Sequence, residues 1–198
     1  TPKTTTSSTS SSSDEELKLN PIIDLSGWQL PQDIDYDVLS NHISGAIVRV
    51  FGGSLISKDS NAASSNGVDK SFKTHIKELK KRDVPVAVYS YAQGTSVKEM
   101  KEEARIFYKN ASPYKPTYYW IDVEEETMPN MEEGVQAFLA ELKRLGADKV
   151  GLYIGAYFML EQEVSTRNFD AVWIPAYGTD SGYYETLPNT DIDYDLHQ

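Results

Sequence analysis

Asp122 and Glu124 stand two residues apart at the end of the run Thr117–Val123, whose Tyr, Trp, Ile and Val content is strand-like. Residues i and i+2 of a strand point to the same face, roughly 6–7 Å apart along the chain. Two carboxyls so placed among apolar residues cannot ionise independently, and one is pushed to a higher pKa. Cleavage of a glycosidic bond needs a carboxylic acid that keeps its proton near neutral pH, because the leaving oxygen must receive one. Strand ends also carry acids simply because they meet solvent, so the pair alone is compatible with either reading. Glu125 and Glu126, which follow, read as loop residues facing water.

Asp24 closes another apolar run, Ile22–Leu25, and reads either as a third cleft carboxylate or as the organiser of a turn with Ser26 and Gly27. Arg49 lies inside the run Ala46–Phe51. A buried guanidinium there needs a carboxylate partner, for which Asp24, Asp122 and Glu124 are the candidates. Tyr89, Tyr91, Tyr153, Trp173 and Tyr177, with Trp28, are placed at or beyond strand ends. Such rings stack on sugars or fill a core, and the default for a strand aromatic is the core. His42 and His75 fall on helical segments and read as surface residues.

The elements that must hold these residues alternate. Further strand-like runs are Val84–Tyr91, Val150–Ile154, Ala171–Ala176 and Ile192–Leu196. Between them, the spacing of apolar residues predicts helices over Asp69–Lys81, Ser96–Asn110 and Met131–Leu145, with weaker ones at Ile34–His42 and Tyr157–Val164. Ser96 and Glu99 form a capping-box pattern, and Gly146 is a C-terminal stop. Helices cease after the fifth strand–helix round. Five βα units followed by bare strands predict a parallel α/β architecture, a TIM-like barrel with an incomplete ring of helices. An open doubly wound sheet is the alternative, without a Gly-rich nucleotide loop to support it; Gly52-Gly53 leads into a Ser/Asn-rich stretch.

Composition narrows the chemistry. With 198 residues, 19 Lys+Arg against 30 Asp+Glu and a formal charge of −11, the chain disfavours nucleic-acid partners. The absence of cysteine excludes disulfides, cysteine nucleophiles and cysteine-ligated zinc. Three histidines leave little for a metal site, and no metal or organic cofactor is implied. Residues 1–13 are Ser or Thr apart from Pro2 and Lys3. Such a stretch has nothing apolar to bury, which predicts a flexible linker over residues 1–20, joining an upstream anchor or module to a domain over 21–198.

Six ordered motifs carry a family resemblance: Asp24-Leu-Ser-Gly-Trp28-Gln29, Tyr89-Ser90-Tyr91, Trp120-Ile-Asp122-Val-Glu124, Gly151-Leu-Tyr153, Trp173-Ile-Pro-Ala-Tyr177 and Asp195-Leu-His-Gln198. In this order the chain resembles the glycoside hydrolase family 25 muramidases, which include lysozymes, phage endolysins and bacterial autolysins. The resemblance implies a (β/α)5(β)3 barrel. It also implies an enzyme cleaving the β-1,4 bond between N-acetylmuramic acid and N-acetylglucosamine in peptidoglycan, outside the cell or at its wall, as a monomer. Glu124 would be the general acid, with Asp122 and Asp24 as supporting carboxylates. Tyr89, Tyr91, Tyr153, Trp173, Tyr177 and Arg49 would contact the glycan. Two departures stand out. Ser90 occupies a place where the family usually has His, and the final strand with an Asp-x-Asn pattern is expected beyond Gln198. Two other readings are a wall-binding domain without turnover and a chitinase-like barrel. The chitinase-like pattern is longer than what precedes Asp122 here.

Overall fold

The apolar runs become seven strands, β1 (Ile22–Leu25), β2 (Gly45–Gly52), β3 (Val86–Tyr91), β4 (Tyr119–Val123), β5 (Val150–Ile154), β6 (Ala171–Ile174) and β7 (Leu196–His197). The computed structural model describes residues 20–52, 62, 66–179 and 187–198. The linker predicted over residues 1–20, apart from Asn20, and Gly53 lie outside them. All seven strands are parallel, and their order in the sheet is their order in the chain. Helices α1 (Tyr36–Ser40), α2 (Phe72–Lys80), α3 (Val97–Ala111), α4 (Met131–Leu145) and α5 (Ala156–Glu161) occupy the first five connections. The result is a curled half-barrel. Among the described residues no ladder joins β7 to β1, and a groove lined by Ile23, Ile47, Trp173 and Leu196 opens between them. None of the described helices is long and apolar enough to cross a membrane.

Period-two alternation divides the strand side chains between two cores. Val48, Val88, Ile121, Val123, Leu152 and Ile154 face the helices and join Ile76, Leu79, Met100, Phe107, Phe138 and Leu142 in the main core. Ile47, Ala87, Trp120, Tyr153, Ala171 and Trp173 face the concave side and form a smaller cluster. Trp120 anchors that cluster, lying edge-on to Trp173 and stacked on Tyr118. Its ring covers Gly151, where a Cβ would come within 2.3 Å, so only glycine lets the indole lie flat across β5. Because Asp122 shares the parity of Trp120, β4 delivers it to the concave side, directly above this plug.

The helices begin and end where their caps dictate. Ser96 accepts the Glu99 N–H at the start of α3, Asn130 accepts the Glu133 N–H at the start of α4, and Gly146 ends α4 with φ 108°. His75 departs from its predicted surface position. It is fully buried on the inner face of α2, Nδ1 lying 2.6 Å from the Tyr36 hydroxyl and Nε2 3.0 Å from the Ser26 carbonyl. A carbonyl only accepts, so Nε2 carries the ring proton and Nδ1 accepts from Tyr36. Burial lowers the His75 pKa and keeps the ring neutral.

Glu103, on α3, is also fully buried. Its Oε2 accepts the Gln93 N–H at 3.0 Å, while Oε1 has no hydrogen-bond partner within the geometric limits among the described residues. Burial pushes its carboxyl up to about 7, against the pull of the Gln93 and Gly94 amides. The folded chain therefore binds a proton that the unfolded chain gives up near its ordinary value of 4.5. The stabilisation is complete below that value and is lost as pH rises through about 7, amounting to ~3 kcal/mol. Glu103→Gln cannot ionise, so it should flatten this part of the stability–pH curve. Urea unfolding at about pH 5 and about pH 8 measures it; an unchanged slope in the variant would assign the titration to another group.

Candidate active site

The C-terminal ends of the strands converge on one cleft. β1 supplies Asp24, β3 Tyr89, β5 Tyr153 and β6 Trp173; Asp122 and Glu124 come from β4 and the residue just past it, and Tyr177 and Gln198 from the segments after β6 and β7. This is the end of a parallel α/β sheet where ligands ordinarily bind. The three acids named from the sequence are thus brought together, with four of the six aromatics named there.

Asp122 sits on the floor, only 7% exposed, whereas Glu124 stands at the mouth. The Asp122 pKa is raised well above the carboxylate range, first by burial, then by the negative charge of Glu124 and the hydrogen bond between the two carboxyls, and further by Asp24. Arg49 opposes the shift. Asp122 Oδ1 finds no donor group among the described residues. Asp122 is thus the carboxyl of the i, i+2 pair that resists ionisation.

Asp24 is held by a chain of hydrogen bonds across the open side of the half-barrel. Gln198 Nε2 donates to Asp24 Oδ2 at 2.8 Å, and Gln198 Oε1 accepts from the Tyr177 hydroxyl at 3.2 Å. Tyr177 has one hydroxyl proton and gives it to Gln198, so Tyr153, 2.7 Å away, is the donor to Tyr177. The relay fixes both tyrosine hydroxyls and aims a carboxylate oxygen of Asp24. Burial raises the Asp24 pKa and the Gln198 amide pulls it back. Tyr153 packs edge-on against Trp173, with ring centroids 4.6 Å apart, and forms an aromatic wall. Among the described residues no cluster of His, Cys, Asp and Glu is placed to hold a metal ion.

A sequence model of the glycosyl hydrolases of family 25 matches residues 23–194, which span every cleft residue but Gln198. The chain belongs to glycosyl hydrolase family 25. It is therefore a glycoside hydrolase, and the cleft is where the family's chemistry has to be sought. Among solved structures, a family 25 glycosyl hydrolase of Streptococcus pneumoniae, described as a virulence factor participating in host cell invasion, is 57% identical with a TM-score of 0.88. That match covers 91% of this chain and 79% of the other. The catalytic domain of an endolysin from bacteriophage P40 of Listeria monocytogenes is 27% identical, with a TM-score of 0.76 and coverage of 89% and 82%. A family 25 enzyme from Bacillus anthracis, 19% identical with a TM-score of 0.65 and coverage of 88% and 76%, shares the fold. No curated protein sequence matches the chain.

Two of the predicted contacts of this family 25 chain are placed elsewhere. Arg49 does not line the cleft and its ion-pair partner is none of the cleft acids; its Nε donates to Asp69 Oδ2 at 3.0 Å. Asp69 is fully buried at its side chain and also accepts the Gly27 N–H at 2.7 Å and the Ser71 N–H at 2.8 Å. It was not legible from the sequence because two of its three partners, Arg49 and Gly27, are 20 and 42 residues distant. Tyr91 likewise stands outside the cleft lining, its hydroxyl donating to Glu125 Oε1 at 2.6 Å. Trp28 is 62% exposed on the connection after β1. Gln198 is the cleft residue that the sequence offered only as part of a motif. A side-chain amide beside a strand end carries no chemistry by type, and its role appears only with the distance to Asp24.

Proposed function

We propose that this chain is an N-acetylmuramidase, hydrolysing the β-1,4 bond between N-acetylmuramic acid and N-acetylglucosamine in peptidoglycan. The observation that carries the reading is the buried carboxyl of Asp122 beside the exposed one of Glu124, set in an aromatic cleft of a family 25 fold. The endolysin relative supports peptidoglycan as the substrate class. Glu124, at the mouth, is the general acid that delivers a proton to the leaving oxygen. Departure of that proton puts a negative charge beside buried Asp122. The positive charge growing at the sugar's anomeric carbon offsets it, so the pair is matched to the transition state rather than to the ground state. Asp24, aimed by Gln198, adds negative charge on the other side of the cleft. Water entering at the anomeric carbon completes hydrolysis, its oxygen joining the sugar and its proton returning to the pair. Tyr89, Tyr153, Trp173 and Tyr177 offer rings and hydroxyls to the glycan, while Arg49 acts from behind through its charge.

In this reading residues 21–198 are one catalytic unit, acting as a monomer at the cell wall or outside the cell, and residues 1–20 tether it to a neighbouring module. Digestion of purified peptidoglycan, with mass spectrometry of the new reducing ends, tests the assignment. N-acetylmuramic acid is expected at those ends. Reducing ends made only of N-acetylglucosamine would overturn the bond assignment, and no new ends at all would favour a binding domain without turnover.

A further inference from the structure

Glu125 reads from sequence as a solvated loop residue, yet both its carboxylate oxygens are engaged. Oε1 accepts the Tyr91 hydroxyl at 2.6 Å and Oε2 accepts the Gln93 side-chain amide at 3.2 Å. Both donors lie at or just past the end of β3, whereas Glu125 directly follows Glu124 on the segment leaving β4. The two segments are tied again where the Thr127 hydroxyl donates to the Gly94 carbonyl at 2.8 Å, and Glu103 grips the Gln93 N–H from beneath at 3.0 Å. On the strand side, Ala92 N–H donates to the Asp122 carbonyl at 2.9 Å. The backbone on either side of Glu124 is therefore pinned to the β3 exit.

Glu124 itself is exposed, and its side-chain hydrogen bond is to Asp122. A side chain with so little holding it points where its backbone points it. We propose that Glu125 is a positioning residue, a brace that locks the β4 exit to Tyr91 and Gln93 so that the Glu124 carboxyl stays over Asp122. The proposal rests on the reading of Glu124 as the proton donor. It also gives Tyr91 a role through its hydroxyl in place of direct contact with the glycan.

Steady-state kinetics on solubilised glycan strands test the brace. Glu125→Ala should lower kcat roughly tenfold, since a small misplacement of a reacting group is enough for such a loss. KM should stay within about twofold, because no glycan contact is removed. Glu125→Gln keeps an oxygen that can accept from Tyr91, and it should restore most of the rate. Tyr91→Phe should reproduce the loss, and the double variant Tyr91→Phe/Glu125→Ala should be no slower than either single one, the mark of two residues acting as one unit. Full kcat in Glu125→Ala, a loss confined to KM, no rescue by Gln, or multiplying losses in the double variant would each overturn the brace. Glu124→Gln, assayed alongside, separates the two levels. If it is inactive while Glu125→Ala is fully active, the brace alone falls; if it is fully active, the proton-donor assignment falls and takes the brace with it.

Discussion

Glu124→Gln is expected to lower the rate of wall hydrolysis by roughly 10³-fold, within the range that a positioned general acid contributes. The substitution keeps the shape and removes the proton that the leaving oxygen needs. It also removes the like charge that presses on Asp122, leaving that residue buried with an amide as its neighbour. Stability should hardly change, because Glu124 is exposed and belongs to neither core. The measurements are the rate of new reducing-end formation and the midpoint of thermal unfolding on the same preparation. A variant that unfolds like the wild type but hydrolyses within about tenfold of it would sink the assignment, since such a residue contributes less than general acid catalysis requires.

The two carboxyls of that pair were legible because strand geometry alone puts i and i+2 on one face. The apolar residues before Asp122 announced the burial that makes the pair unusual. The ends of β1, β5 and α4 were legible for similar reasons, as uninterrupted apolar or amphipathic runs bounded by polar residues, caps or glycine. The last strand was not. Ile192–Leu196 has the alternation of a strand, and Ile192 and Tyr194 do pack on the main core, but ladder pairing begins only at Leu196. The Asp195 side chain accepts the Val172 N–H at 2.9 Å and the Asp195 N–H reaches the Val172 carbonyl, so a side chain occupies a place that a strand backbone would take. Alternation reports which residues are buried, not which atoms pair.

Partners distant in the chain were the other loss. Sequence spacing located Arg49 in an apolar strand and demanded a carboxylate for it, correctly in kind and wrongly in identity. The nearest acids in the expected barrel were the cleft acids, whereas Asp69 lies just before α2 and looks from spacing like the first residue of a helix. His75 was misplaced because a polar side chain on an amphipathic helix defaults to the surface. Its two ring nitrogens instead satisfy Tyr36 and Ser26 beneath the segment after β1. In each case a residue type was recognised and its partner was a matter of topology.

Removing Asp69 is the substitution with the largest expected cost to the fold. Its carboxylate, fully buried, accepts from three donors: the Arg49 guanidinium, the Gly27 N–H and the Ser71 N–H. Asp69→Ala strands Arg49, whose side chain is only 12% exposed, as a charge without its partner. Breaking one side of a buried ion pair costs ~3–5 kcal/mol. The two amides lose their acceptor as well. One of them is at Gly27, which already abuts Ala62 so closely that a Cβ would come within 2.3 Å of the Ala62 carbonyl oxygen. The segment after β1 therefore has little freedom to find another arrangement, and Asp24 stands immediately before it. Asp69→Asn should help little, because one carbonyl oxygen cannot serve donors that reach both carboxylate oxygens, and its NH2 would face one of them. Urea unfolding gives the loss directly as a lowered midpoint at constant slope. Activity at low temperature should survive in part, because no group that touches the glycan is removed. A shift under about 1 kcal/mol in Asp69→Ala would show that the Arg49 charge is compensated without this carboxylate.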